Sequence, residues 1–405
     1  MLEFLILGAG PAGLAFANRL LKSGKNDFLV LEAESEPGGL CRSREVDGSP
    51  LDIGGGHFLD VRRPDVNEFL FQFMPKEEWE EYSRDSQIEV EGQMIHHPIE
   101  ANIWEMDIEH QVSYLKSIAT AGCLTGKRMP KRFVDWITWK LGDRIAESYM
   151  LPYNRKMFGD QLNHLGTYWL EKLPNVNFEE ILRSCLEHKA YGQQPGHAQF
   201  YYPKKYGYGE LWLRMGKHLG DRLICGKKVS AIDFQRQEIM TTDGTKLNAK
   251  HIITTVPWDS FKTIGMPSAL QHSIRLLKHT SVQIEYVSKP LKTTAHWIYY
   301  PASGISYHRI LVRHNFCPNS KGYWTETNGD RVSITKGNKG FKYLNAYAYP
   351  LNTIGKNERM AELLDWAQEH RVFGLGRWGE HQHYNSDLTV KLALNLADKL
   401  ISKTK

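Results

Sequence analysis

The order of apolar and polar positions at the start of the chain predicts a strand, a turn and a helix. Residues Leu2 to Leu7 form an apolar run of strand length, and a second such run, Phe28 to Leu31, ends at the acid Glu32. Between the two runs, apolar residues recur at the spacing of a helix. A strand, a helix and a second strand of this length make a βαβ unit. The helical positions are Leu14, Ala15, Ala17, Leu20 and Leu21.

The same pattern divides the rest of the chain into a helical block and two stretches of strands. From about 104 to 190 the apolar spacing is helical, and short strand patterns return from about 226. Residues 280–345 alternate as an antiparallel sheet does, and a last helix is predicted from about Leu388 to Ile401. We therefore predict an α/β fold with a discontinuous Rossmann-like domain (1–65, 200–262 and 346–405), a helical insertion domain (100–195) and an antiparallel β-sheet domain (66–99 and 263–345).

Composition narrows the class of protein. The 405 residues are 41% hydrophobic and 24% charged, which is typical of a globular protein of two or three domains. The net charge of +5 is mild and we expect the basic residues to be scattered, so no nucleic-acid partner is predicted. Five cysteines without a CxxC pair argue against disulfides and zinc, so no metal site is predicted. Without a signal peptide or an apolar stretch of ~20 residues, we expect a cytoplasmic protein with no transmembrane segment.

The turn after the first predicted strand carries a dinucleotide-binding motif. Gly8-Ala-Gly10-Pro-Ala-Gly13 matches GxGxxG, follows a strand and opens a helix. Gly8 makes the tight turn, Gly10 lets the backbone approach a pyrophosphate, and Gly13 packs the helix on the strand. The helix N-terminus then faces the phosphates. Glu32, at the end of the second strand, fits the acid that binds a ribose hydroxyl.

Two further glycine clusters indicate which dinucleotide is bound. Glu36-Pro-Gly-Gly39 with Arg42, and Asp52-Ile-Gly-Gly-Gly-His57, resemble the two-part signature of the flavin amine oxidase and UDP-galactopyranose mutase superfamily. Gly376-Arg377-Trp-Gly379, followed by Asn385, resembles the C-terminal flavin-binding segment of that superfamily. The resemblance implies a Rossmann-like FAD-binding domain. The implied FAD-binding residues are Gly8, Gly10, Pro11, Ala12, Gly13, Glu32, Gly39, Leu40, Arg42, Gly55, Gly56, His57, Val229, Arg377, Asn385 and Ser386.

Within that superfamily, the chain is most similar to the UDP-galactopyranose mutase family, almost from end to end. The resemblance implies that Tyr299, Arg309 and Tyr349 hold a substrate diphosphate, with Asn154 nearby and Lys172 in place of a second arginine. A rigid guanidinium fork with neutral hydroxyl donors suits a diphosphate. The resembling segments are Pro152-Tyr-Asn-Arg-Lys156, Tyr202-Pro-Lys, Trp297-Ile-Tyr-Tyr-Pro301, Tyr307-His-Arg309 and Ala348-Tyr349-Pro350.

Three further positions depart from the family pattern. Where the family places an aromatic residue and a glutamine or similar donor around the uracil, this chain has His97 and Glu100. A carboxylate accepts from the uracil N–H but repels the uracil carbonyls, so the base or its pose differs. His383 stands where the family has a tyrosine near the diphosphate, and its charge would depend on pH.

The resemblance also implies a reaction. In this family the N5 atom of the reduced flavin attacks the anomeric carbon, and pyranose and furanose forms of a UDP-galactose-like sugar are interconverted for surface polysaccharide biosynthesis. The implied catalytic residues are His57, beside the flavin, and Arg309. The implied partners are a nucleotide-diphosphate sugar and a reductant such as NAD(P)H or a reduced flavin, and a homo-oligomer is allowed.

Two other functions share the flavin motifs. One is an FAD-dependent oxidoreductase of the amine oxidase or protoporphyrinogen oxidase type, which would have an apolar or aromatic-cage pocket in place of Tyr299, Arg309 and Tyr349. The other is a non-enzymatic flavin-binding sensor, which would bind partners in response to redox state without turnover.

Overall fold

The computed structural model describes residues 1–170, 173–192, 198–332 and 340–402. The strands are β1 (Leu2–Leu7), β2 (Phe28–Leu31), β3 (Ser43–Val46), β4 (Ser49–Asp52), β5 (Leu59–Asp60), β6 (Trp79–Ser83), β7 (Ser86–Val90), β8 (Gln93–His96), β9 (Gln199–Pro203), β10 (Leu223–Ile224), β11 (Val229–Asp233), β12 (Glu238–Thr241), β13 (Lys246–Thr254), β14 (Lys262–Ile264), β15 (His279–Val287), β16 (Trp297–Tyr299), β17 (Arg309–Leu311), β18 (Tyr323–Asn328), β19 (Lys342–Pro350) and β20 (Val372–Gly374). The helices are α1 (Pro11–Lys22), α2 (Pro64–Phe71), α3 (Ile99–Asn102), α4 (Ile108–Ala119), α5 (Phe133–Ile145), α6 (Leu151–Phe158), α7 (Phe178–Glu187), α8 (Gly209–Leu219), α9 (Ser268–Leu276), α10 (Lys356–Glu369), α11 (Gly376–Gly379) and α12 (Ser386–Ser402).

The larger sheet has the strand order β10-β2-β1-β13-β12-β11-β14, with β20 also beside β13. Strand β1 lies parallel to both β2 and β13. Phe4 and Ile6 pack in the same core as α1 and α12, whereas Leu5 and Leu7 pack in a second core with α9 and α10. Helices therefore cover both faces, which is why β1 reads as an apolar run. The predicted α/β fold with a Rossmann-like βαβ unit is confirmed.

The second sheet has the strand order β19-β15-β18-β17-β16-β7-β8. Its neighbouring strands run antiparallel except for β16 and β7, which run parallel. In β15, buried and partly exposed residues alternate, as they do in a strand with one covered face. The strand pairing of β16 with β17 places Tyr299 directly opposite Arg309. The fold thereby brings together two residues that the sequence assigned to the same site.

The residues between β8 and β9 form helices α3 to α7, as the helical spacing predicts. Helix α7 begins with a capping box, in which Asn177 and Glu180 bond each other's backbone N–H groups. Lys156, on α6, is buried, and its ammonium group donates to the carbonyl oxygens of Tyr300 at 2.7 Å and Tyr307 at 3.1 Å. These two carbonyls flank the loop between β16 and β17, so Lys156 fastens α6 to that hairpin. No helix in the described ranges is long and apolar enough to cross a membrane.

Two segments lie in a different sheet from the one that the predicted domain boundaries give them. Strand β14 pairs with β11, and α9 packs in the second core of the larger sheet, although residues after 262 were expected in the antiparallel domain. Strand β19 pairs along its length with β15, so residues 346–350 lie in the second sheet. Apolar spacing shows where a strand occurs but not which strand it pairs with. The division into three domains otherwise stays a prediction.

Candidate functional site

A cavity of about 560 Å³ opens beyond the carboxyl ends of β1, β2 and β13. Its volume is that of a small-molecule or cofactor site. In an α/β sheet, ligands bind in the crevice at this end of the strands. The predicted cofactor residues that line it are Gly8, Gly10, Pro11, Ala12, Glu32, Gly39, Leu40, Arg42, His57, Val229, Arg377 and Ser386.

Four predicted cofactor residues do not line the cavity: Gly13, Gly55, Gly56 and Asn385. Gly13 has the packing role that its place in the motif predicts, because a Cβ atom there would lie 2.0 Å from the carbonyl oxygen of Gly8. Gly55 and Gly56 lie against Glu326: the Gly56 N–H donates to the Glu326 carboxylate at 3.1 Å. A direct contact of these four residues with a cofactor stays a prediction.

The floor of the cavity is built from two glycine turns in close approach. A Cβ atom on Gly39 would lie 3.2 Å from the Cα of Gly10. Helix α1 begins with Pro11 at its first position, and no side chain caps its N-terminus. The first N–H groups of the helix are therefore available to an anion, and the helix dipole favours one. These residues fit the pyrophosphate of a dinucleotide.

Glu32 forms the cavity wall at the end of β2. It is buried, and its carboxylate accepts hydrogen bonds from the N–H groups of Ala9 at 2.7 Å and Glu34 at 2.9 Å. Burial raises the pKa of Glu32 above its ordinary value, although these two N–H groups oppose the shift. The two hydrogen bonds hold the Glu32 carboxylate in one position at the cavity, which suits an acceptor for a ribose hydroxyl.

Two arginines line the cavity and differ in their partners. Arg42 donates to the carbonyl oxygen of Gly39, to the carboxylate of Glu34 and to the hydroxyl of Tyr343. Arg377 donates to the carbonyl oxygens of Tyr384 at 2.8 and 3.0 Å and Ala348 at 3.1 Å. Carbonyl oxygens do not neutralise a charge, so Arg377 brings a positive charge to the cavity wall.

His57 is neutral at neutral pH. Burial and the nearby charge of Arg377 lower the pKa of His57 to about 4. Its Nδ1 atom lies 3.0 Å from the carbonyl oxygen of Gly55. Because a carbonyl only accepts, the single ring proton belongs on Nδ1, which leaves Nε2 as an acceptor. His57 thus adds a lone pair rather than a charge to the cavity that it lines.

Arg309 is bound to a buried carboxylate that the sequence did not reveal. Its Nε donates to Glu326 at 3.0 Å, and its Nη2 donates to the same oxygen. Burial alone would raise the pKa of Glu326, but Arg309 and His308 beside it lower the value to about 2. Two nitrogens of Arg309 thus contact Glu326, and its role in holding a diphosphate stays a prediction. A strand residue that pairs across β17 and β18 leaves no local sequence signal.

Tyr299 lies at the centre of a buried group of polar and aromatic side chains. Its hydroxyl accepts hydrogen bonds from the indole N–H of Trp297 at 2.8 Å and from Arg84 Nη2 at 3.1 Å. The ring of His97 lies 5.1 Å from the ring of Tyr299, and that of Tyr153 lies 5.4 Å away. Arg84 was not predicted, since a single arginine between two strands carries no motif.

Only some of the other predicted substrate residues lie near Arg309. Burial raises the pKa of Tyr349, and the nearby charge of Arg309 opposes the shift. The ring of Tyr349 lies 4.8 Å from that of His383, and the guanidinium of Arg377 lies 5.8 Å from the centre of the Tyr349 ring. Asn154 is buried on α6 and donates to the carbonyl oxygen of Met150, the residue just before that helix.

Two predicted substrate residues remain. Glu100, on α3, is buried, and burial raises its pKa to about 7. Lys172 lies outside the described residues. The substrate roles of all these residues stay predictions.

The fold and the cavity define a dinucleotide-binding protein of the flavoprotein type. Residues 11–288 match the family of flavin containing amine oxidoreductases. Since this match covers more than half of the chain, the chain belongs to that family, and its cofactor is FAD.

Two proteins of known sequence match this chain over short stretches. A putrescine oxidase of Kocuria rosea is 41% identical over 68 residues, which are 17% of this chain and 13% of the oxidase. An uncharacterized protein in the nifH2 3' region of Methanothermococcus thermolithotrophicus is 45% identical over 53 residues, which are 13% of this chain and 50% of that protein. The chain thus spans at most half the length of these relatives, and they do not establish its substrate.

Solved structures match over nearly the whole chain and show the fold. A reduced UDP-galactopyranose mutase has a TM-score of 0.87 at 22% identity, covering 99% of this chain and 94% of the mutase. A CLA-producing fatty acid isomerase from P. acnes has a TM-score of 0.65 at 14% identity, covering 98% of each chain. A putrescine oxidase bound to putrescine has a TM-score of 0.63 at 14% identity, covering 99% of each chain. The fold class predicted from the glycine motifs is the one that these flavoproteins share.

Proposed function

We propose that this flavoprotein is a nucleotide-sugar mutase that interconverts pyranose and furanose forms of a UDP-galactose-like sugar for surface polysaccharide biosynthesis. The observation that carries the proposal is the group formed by the buried Tyr299 and the half-buried Arg309 and Tyr349, next to the cavity wall at Arg377. Hydroxyl and guanidinium donors suit an anion such as a diphosphate. The fold likeness to the reduced UDP-galactopyranose mutase supports the same choice.

The charges of this group argue against an amine substrate. An amine is a cation at neutral pH and needs an available carboxylate or an aromatic cage. The carboxylate of this group, Glu326, already accepts from Arg309 and from the N–H of Gly56. Arg377 at the cavity wall repels a cation as well. An anionic substrate needs no free carboxylate and is attracted, not repelled, by Arg377.

We assign each side chain a role from its contacts. Tyr299 and Tyr349 donate to diphosphate oxygens, and Arg309, whose orientation is fixed by its ion pair with Glu326, offers the N–H groups that this pair leaves available. His57, neutral and with Nε2 as an acceptor, receives a hydrogen bond without adding charge. Bound FAD in its reduced form supplies the nucleophilic chemistry at the anomeric carbon, so the protein contributes orientation and electrostatics.

An oxidoreductase of the amine oxidase or protoporphyrinogen oxidase type is the second candidate. The family match over residues 11–288 and the identity to a putrescine oxidase over 68 residues favour it. Neither match distinguishes the substrates, because the family match gives only the class of flavin containing amine oxidoreductases and the identity covers only 13% of the oxidase. The hydrogen-bond donors around Tyr299 support the choice of a mutase.

The test is turnover of UDP-galactofuranose by the dithionite-reduced holoenzyme without oxygen, followed by chromatography of the nucleotide sugars. We expect the pyranose isomer to form with reduced protein and not with oxidised protein. The proposal fails if the reduced protein converts none of a panel of UDP- and dTDP-sugars. Oxygen consumption with putrescine or other amines would establish the second candidate instead.

A further inference from the structure

The positive charge of this protein is concentrated in one stretch of the chain. Residues 113–142 contain six basic side chains and one acid, Asp135, which gives this stretch a net charge of +5. The whole chain also has a net charge of +5, so the charges of all other residues cancel. The expectation of scattered basic residues is therefore wrong here. The basic residues of this stretch are Lys116, Lys127, Arg128, Lys131, Arg132 and Lys140.

Four of these cations lie close together on the loop between α4 and α5. Lys127, Arg128, Lys131 and Arg132 are all exposed. Arg132 pairs with Asp135, whereas the described chain holds no carboxylate within ion-pair distance of the other three. Three neighbouring cations on this loop are thus exposed to solvent, and no carboxylate of the described chain forms an ion pair with them.

The backbone of this loop is held in a defined shape. The indole N–H of Trp139 donates to the carbonyl oxygen of Lys127 at 2.8 Å, and the Lys127 N–H donates to that of Gly122 at 3.0 Å. The Cys123 N–H donates to the carbonyl oxygen of Trp139 at 3.0 Å. These bonds hold the backbone of the loop against α5, so the positions from which the charged side chains of the loop extend are fixed.

Two aliphatic side chains are exposed among the cations. Leu124 is 47% exposed and Met129 is 45% exposed. Water and nucleic-acid phosphates give no gain for exposed aliphatic groups, whereas the boundary between lipid headgroups and acyl chains does. Residues 120–132 contain no aromatic ring on which a base would stack. The combination matches an anionic membrane surface better than a nucleic acid.

We propose that the loop of residues 124–132 binds the surface of bilayers that contain anionic lipids. Lys127, Arg128 and Lys131 contact the headgroups, and Leu124 and Met129 enter the interface between headgroups and acyl chains. Anionic lipids attract basic segments within about a Debye length of the surface. The binding is peripheral and does not depend on the proposed function.

The experiment is co-sedimentation of the FAD-loaded protein with vesicles of phosphatidylcholine, alone or mixed with phosphatidylglycerol. We expect binding to the mixed vesicles only, and weaker binding as salt is raised. Because a basic residue near an anionic surface contributes roughly fivefold in affinity, K127Q/R128Q/K131Q should bind on the order of 100-fold more weakly. The matched control is K217Q/K250Q/K262Q, which removes the same charge from exposed lysines elsewhere and should bind almost as the wild type does.

A second variant tests the aliphatic contacts. L124S/M129S should bind the mixed vesicles more weakly than the wild type and should respond more steeply to salt. Equal binding to pure phosphatidylcholine, or equal losses in the two triple variants, would overturn the proposal. So would duplex DNA that displaces the vesicles while L124S/M129S binds lipid as the wild type does. The flavin absorbance of each variant shows that it is folded and loaded.

Discussion

The indole N–H of Trp297 donates a hydrogen bond to the hydroxyl oxygen of Tyr299 at 2.8 Å, and Arg84 donates a second one at 3.1 Å. A tyrosine hydroxyl has two acceptor positions and one proton. Both acceptor positions are occupied, and among the described residues the proton has no acceptor. Tyr299 is therefore set to donate to whatever ligand lies beside it.

This arrangement predicts coupling between Trp297 and Tyr299 in ligand binding. W297F removes one donor and frees the hydroxyl to turn, so we expect UDP to bind about threefold to tenfold more weakly. In a Y299F background, the same change should have almost no further effect, because the hydroxyl is already gone. Isothermal titration of the four proteins with UDP measures the coupling.

The control for this cycle is W324F, since the buried indole N–H of Trp324 has no hydrogen-bond partner in the described chain. W324F should leave the affinity for UDP unchanged. Equal losses from W297F in the two backgrounds would mean that Trp297 acts by packing and not through the hydroxyl.

Removing Arg309 should destabilise the fold as well as the site. R309A leaves the buried Glu326 carboxylate without its main partner, which costs about 3–5 kcal/mol. R309A/E326Q should recover part of that loss, because the uncompensated charge is gone. Urea denaturation of the three proteins measures the free energy of unfolding, and a double variant no more stable than R309A would contradict the pairing.

Glu326 also predicts a dependence on acid. Its pKa falls from 4.5 to about 2 in the folded protein, so its stabilisation is present above pH 4.5 and is lost as the pH falls toward 2. E326Q should remove this part of the acid sensitivity.

Glu100 predicts the opposite dependence on pH. Burial raises its pKa from 4.5 to about 7, so the stabilisation from its neutral form is complete below pH 4.5 and is lost as the pH rises through 7. At pH 8, E100Q should therefore be more stable than the wild type by up to about 3 kcal/mol, and at pH 4 nearly equal to it. E109Q, at an exposed position, is the control and should show neither effect. Parallel stability curves for E100Q and the wild type would show that Glu100 is ionised at no cost.

Gly10 and Gly13 should respond differently to alanine. A Cβ atom on Gly10 would meet only the Cα of Gly39 at 3.9 Å, so G10A should fold, but its methyl group enters the space for the pyrophosphate. We expect the thermal midpoint of the apoprotein to stay within a few degrees and FAD affinity to fall at least about tenfold. G13A, with a Cβ 2.0 Å from the Gly8 carbonyl oxygen, should fail to fold. G304A, in open space, is the control; full FAD loading of G10A would remove Gly10 from the cofactor site.

The sequence predicted the parts of this site that depend on local order. The turn from Gly8 to Gly13 and the acid at Glu32 lie within one βαβ unit, whose spacing is set by the covalent chain. Glu326 and Arg84 were missed, because each meets its partner through pairing of distant strands. Tyr299 is separated from Arg84 by 215 positions, and no periodicity extends over such a distance.

Lys156 links helix α6 to the loop whose two ends carry Tyr299 and Arg309. Its ammonium group donates to the carbonyl oxygens of Tyr300 and Tyr307. Tyr300 follows Tyr299 in the chain, and Tyr307 lies two residues before Arg309. Because Lys156 of helix α6 bonds both ends of the loop between β16 and β17, a movement of the loop and a movement of the helix are coupled. A displacement of Tyr299 or Arg309 by a ligand would therefore be mechanically coupled to helix α6 through these two hydrogen bonds.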